Sequence, residues 1–126
     1  MRLLLDTHAL LWWFADAPAL NASARAAIAD PANQAFVSAM SLAEISIKQA
    51  LGKVRAPFIS DDLIAEQGMV GLPLAPRHGR RILELPLHHR DPFDRLLIAQ
   101  AIEEGLTIVT ADAEFARYGV PVLAAG

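Results

Sequence analysis

The chain has 126 residues, no cysteine, 54% apolar and 6% aromatic residues, and a formal net charge of −3. That length suits a single domain, residues 1–126, with a substantial core, and the lack of cysteine excludes disulfides, thiolate metal sites and a thiol nucleophile. The longest apolar run, Ala9 to Ala15, is too short to span a bilayer, and Met1-Arg2-Leu3-Leu4-Leu5-Asp6 lacks the long apolar region of a signal peptide. The expectation is a soluble cytoplasmic protein with no membrane partner.

Taken in order, residues 2–5 form a short apolar run of the kind buried on both faces of a parallel sheet. Asp6-Thr7-His8 leads into Ala9 to Phe14, which read as a short helix, broken at Ala17-Pro18. Asn21 caps a helix through Ala29, which Asp30-Pro31 stops. Gln34 to Ser38 is the second strand. Ser41-Leu42-Ala43-Glu44 matches a capping box opening a helix to about Leu51, closed by Gly52. A helix from Ser60 to near Gly68, a weak strand over 69–74 and a helix from Pro76 through Leu85 follow. Asp91-Pro92 starts a long apolar helix to Glu104, with Gly105 as its stop. Leu106 to Thr110 is the clearest strand, Asp112 starts a short helix to about Tyr118, and residues 120–123 form an edge strand beside Pro121. Strands alternate with helices, so the fold class is α/β, built from βαβ units around a parallel sheet.

In such sheets the working site lies outside the carboxyl ends of the strands. Asp6 directly follows the first strand, Glu44 falls in the helix after the second, and Asp112 comes two residues after the strand ending at Thr110. Asp94 opens the helix that precedes that strand, after a loop that belongs at the same rim. Each acid has a plain reading as a helix cap or first-turn residue, and Asp91, three residues before Asp94, competes with it on the same helix face. Together, four acids on one rim repel one another unless a cation sits among them. An oxygen-only donor set suits Mg²⁺ or Mn²⁺ better than Zn²⁺, and such an ion activates water and stabilises charge at a phosphoryl centre. Setting the four acids aside leaves ten acidic against eleven basic residues, so the acidity of the chain is attributable to this site.

Overall acidity argues weakly against a nucleic-acid partner, but the basic residues are clustered. Five of the eleven Lys and Arg (Arg77, Arg80, Arg81, Arg90, Arg95) and three of the four His (His78, His88, His89) lie between positions 77 and 95. Arg80, Arg81, His88, His89, Arg90 and Arg95 are candidate contacts for a phosphate backbone, against a plain reading as a solvated face. In the first helix the adjacent Trp12 and Trp13 point about 100° apart, so one is a candidate for a surface contact with a protein partner, against a role in the core.

Four segments together carry a family resemblance: Leu3-Leu4-Leu5-Asp6-Thr7-His8-Ala9-Leu10-Leu11-Trp12; Ser41-Leu42-Ala43-Glu44-Ile45 with Lys48; Asp91-Pro92-Phe93-Asp94-Arg95-Leu96-Leu97-Ile98-Ala99-Gln100-Ala101; and Thr110-Ala111-Asp112. In this order and spacing they resemble a PIN domain, and more closely a VapC-type toxin of a bacterial toxin–antitoxin pair. The resemblance spans nearly the whole chain. It implies a three-layer α/β/α fold with a central parallel sheet of four to five strands. It implies a metal-dependent endoribonuclease acting on single-stranded RNA regions, with Mg²⁺ or Mn²⁺ as cofactor. Asp6, Glu44, Asp94 and Asp112 match the acidic cluster by motif position. Asp6 and Asp94 would be the main metal ligands, Asp112 would complete the site or bind a second ion, and Glu44 would act through the attacking water. Thr110 and Thr7 are secondary site residues, and Asp91 is left as the N-cap. The reaction implied is in-line attack by activated water, leaving a 5′-phosphate and a 3′-hydroxyl. The partners implied are RNA, an antitoxin contacted by Trp12 or Trp13, and a second toxin in a homodimer within a toxin–antitoxin hetero-oligomer. The alternative is a catalytically inactive PIN-like module that binds RNA or protein. A phosphorylation receiver is a poor rival, since no Lys follows Lys53.

Overall fold

The computed structural model describes all residues, Met1–Gly126. Its strands are β1 (Arg2–Leu5), β2 (Gln34–Ser38), β3 (Val70–Leu72), β4 (Thr107–Thr110) and β5 (Val122–Ala124). They form one sheet in the order β3-β2-β1-β4-β5, and every neighbouring pair is parallel. The helices are α1 (Thr7–Phe14), α2 (Ala22–Ala29), α3 (Ala39–Ala50), α4 (Asp61–Glu66), α5 (Pro76–Arg81) and α6 (Pro92–Glu104), with 3₁₀ turns at Ile82–Glu84 and Ala113–Tyr118.

Strand alternation explains the layering. Leu3 and Leu5 point to one face of β1 and join Leu10 of α1, Ala24 of α2, Ile45 of α3 and Ile64 of α4. Leu4 points to the other face and packs with Leu97, Ile98 and Ala101 of α6, together with Ile108 and Phe115. Leu3, Leu4 and Leu5 are fully buried, as a central parallel strand covered on both faces requires. Each such side chain stabilises the fold by roughly 2 kcal/mol. β5 lies at the sheet edge, as Pro121 suggests.

Three local expectations are corrected. The N-cap of α3 is Ser38, whose hydroxyl accepts from Met40 N–H at 3.0 Å, so the helix starts before Ser41 and the Ser41–Glu44 capping box does not form. The segment after Asp112 is a 3₁₀ turn, and the helix begun at Pro76 gives way to 3₁₀ geometry at Ile82.

The site is positioned by direction. Parallel strands bring all their carboxyl ends to one edge, and α6, returning toward the start of β4, places its N-terminus there. Asp6 N–H donates to Val109 C=O at 3.0 Å, which ties the end of β1 to the end of β4. A buried polar tie supports the same edge: Ser38 Oγ donates to Gln100 Oε1 at 2.5 Å, and Gln100 is fully buried in α6. No helix is long and apolar enough to cross a membrane.

Candidate functional site

Asp6, Glu44, Asp94 and Asp112 line one small hollow at the carboxyl edge of the sheet, with Thr7, His8, Lys48, Asp91 and Phe115. The larger grooves lie between α3 and the segment 57–73 and hold none of the four acids.

Asp6 caps α1: its Oδ1 accepts from Ala9 N–H at 2.8 Å, and the residue is buried. Burial raises its pKa above the usual carboxylate value, while the Thr110 hydroxyl, Ala9 N–H and His8 pull it down and Asp112 pushes it further up. Thr110 Oγ also accepts from Asp112 N–H at 3.0 Å, which leaves its own proton free for Asp6.

Glu44 is also buried and is held from two sides. Thr7 Oγ1 donates to its Oε1 at 2.7 Å, and Lys48 Nζ lies 2.6 Å from its Oε2, one helical turn on. A hydroxyl carries one proton, and the carboxylate takes that of Thr7, so Ser41 Oγ, 3.2 Å away, donates to Thr7. Lys48 is missing from the sequence-based site although the Glu44–Lys48 spacing of four is a readable signal.

At the start of α6 the paired acids separate. Asp91 is exposed and acts as N-cap: its Oδ1 accepts from Phe93 N–H at 2.8 Å and Asp94 N–H at 3.2 Å. The Asp94 side chain is 25% exposed and faces the other acids. Its pKa is pushed up to about 7, first by burial and then by Asp91, Glu44 and Asp6, against a downward pull from His89. Asp112 caps the following 3₁₀ turn through Oδ1, which accepts from Glu114 N–H at 2.9 Å, and its Oδ2 meets His89 Nε2 at 2.8 Å. His89 Nε2 is also 3.9 Å from Asp94 Oδ2.

Of the predicted RNA contacts, Arg95 is corrected. It is buried, and its guanidinium donates to the carbonyls of Ile82, Leu85, Pro86 and His89. It therefore faces inward and braces the loop before α6. Arg81 is drawn to Glu103 at 2.6 Å and Glu84 at 3.0 Å. His89 turns toward Asp112 and Asp94 at the margin of the hollow, and His88 meets Tyr118 edge-on. Arg80 and Arg90 are exposed. Trp12 and Trp13 are both half-buried; Trp12 lies beside His8, and Trp13 Nε1 donates to Gln67.

Five carboxylates and one ammonium share the hollow, a deficit that suits a hard divalent cation held by oxygen. The raised pKa of Asp94 reflects its burial first and its acidic neighbours second. A parallel five-stranded sheet with helices on both faces and an acidic pocket at its carboxyl edge defines an α/β protein with a candidate cation site of oxygen donors. The PIN domain profile matches residues 3–121. Ribonuclease VapC22 of Mycobacterium tuberculosis (strain ATCC 25618 / H37Rv) is 33% identical over 114 residues, covering 86% of this chain and 85% of the relative. Among solved structures, VapBC2 from Rickettsia felis bound to a promoter DNA fragment aligns with a TM-score of 0.69 at 18% identity, covering 100% of both chains. FitAcB from Neisseria gonorrhoeae aligns at 0.64, also at 18% identity, over 97% of this chain and 96% of that one. The chain belongs to the PIN-domain family, and its type is that of the VapC toxins.

Proposed function

We propose that this VapC-type PIN toxin hydrolyses phosphodiester bonds of single-stranded RNA at the acidic hollow, as a single nuclease domain, with Mg²⁺ or Mn²⁺ held by Asp6, Asp94 and Asp112. One observation carries the reading: acids from three separate elements and a connecting turn share one hollow, where burial first and the neighbouring carboxylates second push the Asp94 pKa up to about 7. Such crowding has no stabilising purpose in the isolated chain and is relieved by a cation.

When bound, the cation supplies charge neutralisation at the phosphate and makes water a better nucleophile near neutral pH. The chain's own residues do the rest. Asp6 is fixed by its capping bond and by Thr110, so its carboxylate needs no reorganisation. Glu44, fixed by Thr7 and Lys48, orients the attacking water. Lys48, half-exposed beside it, meets the phosphate oxygens. Arg90 and His88 hold the RNA backbone beside the hollow, and Arg80, on α5 by the far end of α6, holds it farther along. The products are a 5′-phosphate and a 3′-hydroxyl.

VapBC2 and FitAB are solved as complexes, each bound to DNA in one structure. By analogy this chain pairs with an antitoxin, through a surface that includes Trp12 or Trp13, and forms a homodimer within a hetero-oligomer in the cytoplasm. The test is cleavage of single-stranded RNA by the chain freed of any partner. Cleavage is expected with Mg²⁺ or Mn²⁺, stops with chelator, and falls at least about 100-fold in Asp6→Asn and in Asp94→Asn. Full metal-dependent cleavage by both variants overturns the assignment.

A further inference from the structure

We propose that His89 is a nitrogen ligand of the cation held by Asp94 and Asp112, and that it biases the site toward Mn²⁺ over Mg²⁺. This rests on the reading of the hollow as a metal site and adds to it a donor that lies outside the acidic cluster.

Geometry comes first. Nε2 of His89 is 2.8 Å from Asp112 Oδ2 and 3.9 Å from Asp94 Oδ2, and the three ligand atoms all lie within 4.8 Å of one another. Donors bound at about 2.1 Å to an octahedral ion lie about 3 Å apart when adjacent and about 4.2 Å apart when opposite. The observed spacings approach that range, so small side-chain rotations make the three donors convergent. Asp112 is free to take part, because its capping bond uses Oδ1 while Oδ2 is the atom facing His89.

The ring is also held in place, which distinguishes it from a mobile surface histidine. Its backbone N–H donates to Tyr118 Oη at 2.6 Å, and its carbonyl accepts from the buried Arg95 at 3.3 Å. The imidazole stands edge-on to Phe115, with ring centres 5.5 Å apart. Phe115 is itself buried in the core. Loop, ring and carboxylates are thus set before any ion arrives, as a functional donor requires. Without an ion, Nε2–H bonds to Asp112; on ligation the ring proton sits on Nδ1 and the Nε2 lone pair faces the cation.

The selectivity follows from ligand chemistry. Mg²⁺ prefers an all-oxygen shell, whereas one imidazole raises affinity for first-row transition ions, Mn²⁺ included. Asp6 and the carboxylates alone give no such bias.

The test uses the full chain with Mn²⁺ alone as probe. Electron spin-echo measurements on bound Mn²⁺ are expected to show coupling to one ¹⁴N nucleus, a readout that needs no variant and no activity. In His89→Ala the coupling disappears and the Mn²⁺ Kd, measured by calorimetry, rises at least about 10-fold. The Mg²⁺ Kd changes less than about 3-fold. His89→Gln, which offers oxygen in place of nitrogen, loses the coupling and the Mn²⁺ preference. Mn²⁺ bound without nitrogen coupling overturns this inference and leaves the proposed function standing. Coupling that persists in His89→Ala assigns the nitrogen to another ring, such as His8, and also overturns it. A wild-type chain that binds no Mn²⁺ overturns both readings.

Discussion

Lys48 Nζ sits 2.6 Å from Glu44 Oε2, and it is the one ammonium lining a hollow with five carboxylates. Glu44 pushes the Lys48 pKa above its usual value of 10.5, so the ammonium stays charged throughout the neutral range and its contribution is lost only as pH rises past that value. Lys48→Met removes that ammonium. With the lysine side chain 41% exposed, solvent screening limits the direct loss of metal-free stability to about 1 kcal/mol. The divalent cation then becomes the main source of positive charge among the acids. The melting shift on adding Mn²⁺ is expected to be larger in Lys48→Met than in the wild-type chain, as read by calorimetric melts with and without the ion. An equal or smaller shift means that Lys48 does not compensate the hollow.

Asp94 makes stability depend on pH in an unusual direction. Its folded pKa of about 7 lies above the ordinary value of 3.8, so the folded chain binds the proton more tightly than the unfolded one. The protonated form therefore stabilises the fold fully below about 4, and this is lost progressively as pH rises toward 7. The loss is on the order of 4 kcal/mol before solvent screening, at about 1.4 kcal/mol per pKa unit, and screening of the partly exposed side chain reduces it. Asp94→Asn is expected to melt higher than the wild-type chain at pH 8 without metal, and close to it at pH 4. Denaturant titrations across pH decide this; a wild-type stability flat from pH 4 to 8 would refute the crowding argument.

Metal removal follows from the same balance. A ligand that binds only the folded chain stabilises it by about 2.7 kcal/mol at one hundred times its Kd. For a chain of this size that raises the melting temperature by roughly 10 °C. Asp94→Asn is expected to lose most of the shift, because the asparagine no longer attracts the ion. Wild-type melts that coincide with and without saturating Mn²⁺ count against a preformed site.

Much of this was legible in the chain. β1 reads as a strand because Leu3, Leu4 and Leu5 carry no polar alternation, and α6 reads as a helix from Asp91-Pro92 to Gly105. The acids at 6, 44, 94 and 112 are visible because each follows a strand end or opens a helix near one. Other features are hidden for physical reasons. A Ser-x-x-Glu spacing cannot report that Ser38 has already capped α3 and that Glu44 is bonded to Thr7, 37 residues away. An arginine in a basic run looks like surface, and only the fold shows carbonyls from four loop and turn residues converging on Arg95. His89 looks like one more basic residue until Tyr118 and Phe115, brought in from a distant turn, hold it against Asp112.

Arg95 offers a test of that inward role. Arg95→Ala strips the hydrogen bonds that hold carbonyls 82–89, and it leaves a buried cavity beside α6. The loss of stability is expected to be about 3 kcal/mol, well above that of an exposed arginine. Arg95→Lys recovers little, because a point-like ammonium cannot reach a fork of carbonyls. Denaturant melts check the magnitude. A loss below about 0.5 kcal/mol contradicts the bracing role.

Arg80 and Arg90 are exposed, in contrast to Arg81 and Arg95, which are held by protein groups. Arg90 directly precedes Asp91 of the hollow, whereas Arg80 lies on α5, whose Arg77, His78 and Arg81 meet Glu103 and Glu104 at the far end of α6, so a strand that meets both runs along α6. An arginine that meets an RNA phosphate contributes affinity by releasing counterions, and for single strands each contact adds about 0.7 to the slope of log affinity against log salt. Arg80→Gln and Arg90→Gln are therefore each expected to raise KM about 3- to 10-fold at moderate salt and to lower that slope by about 0.7. The rate at saturating RNA stays near wild type, because neither side chain lines the hollow. The double variant adds the two effects, since the residues share no partner. Steady-state cleavage of a short single-stranded RNA at several salt concentrations measures all three quantities. An unchanged salt slope in both variants places the RNA path elsewhere. A fall in the saturated rate with KM constant assigns these arginines to the chemistry of the hollow instead of to holding the strand.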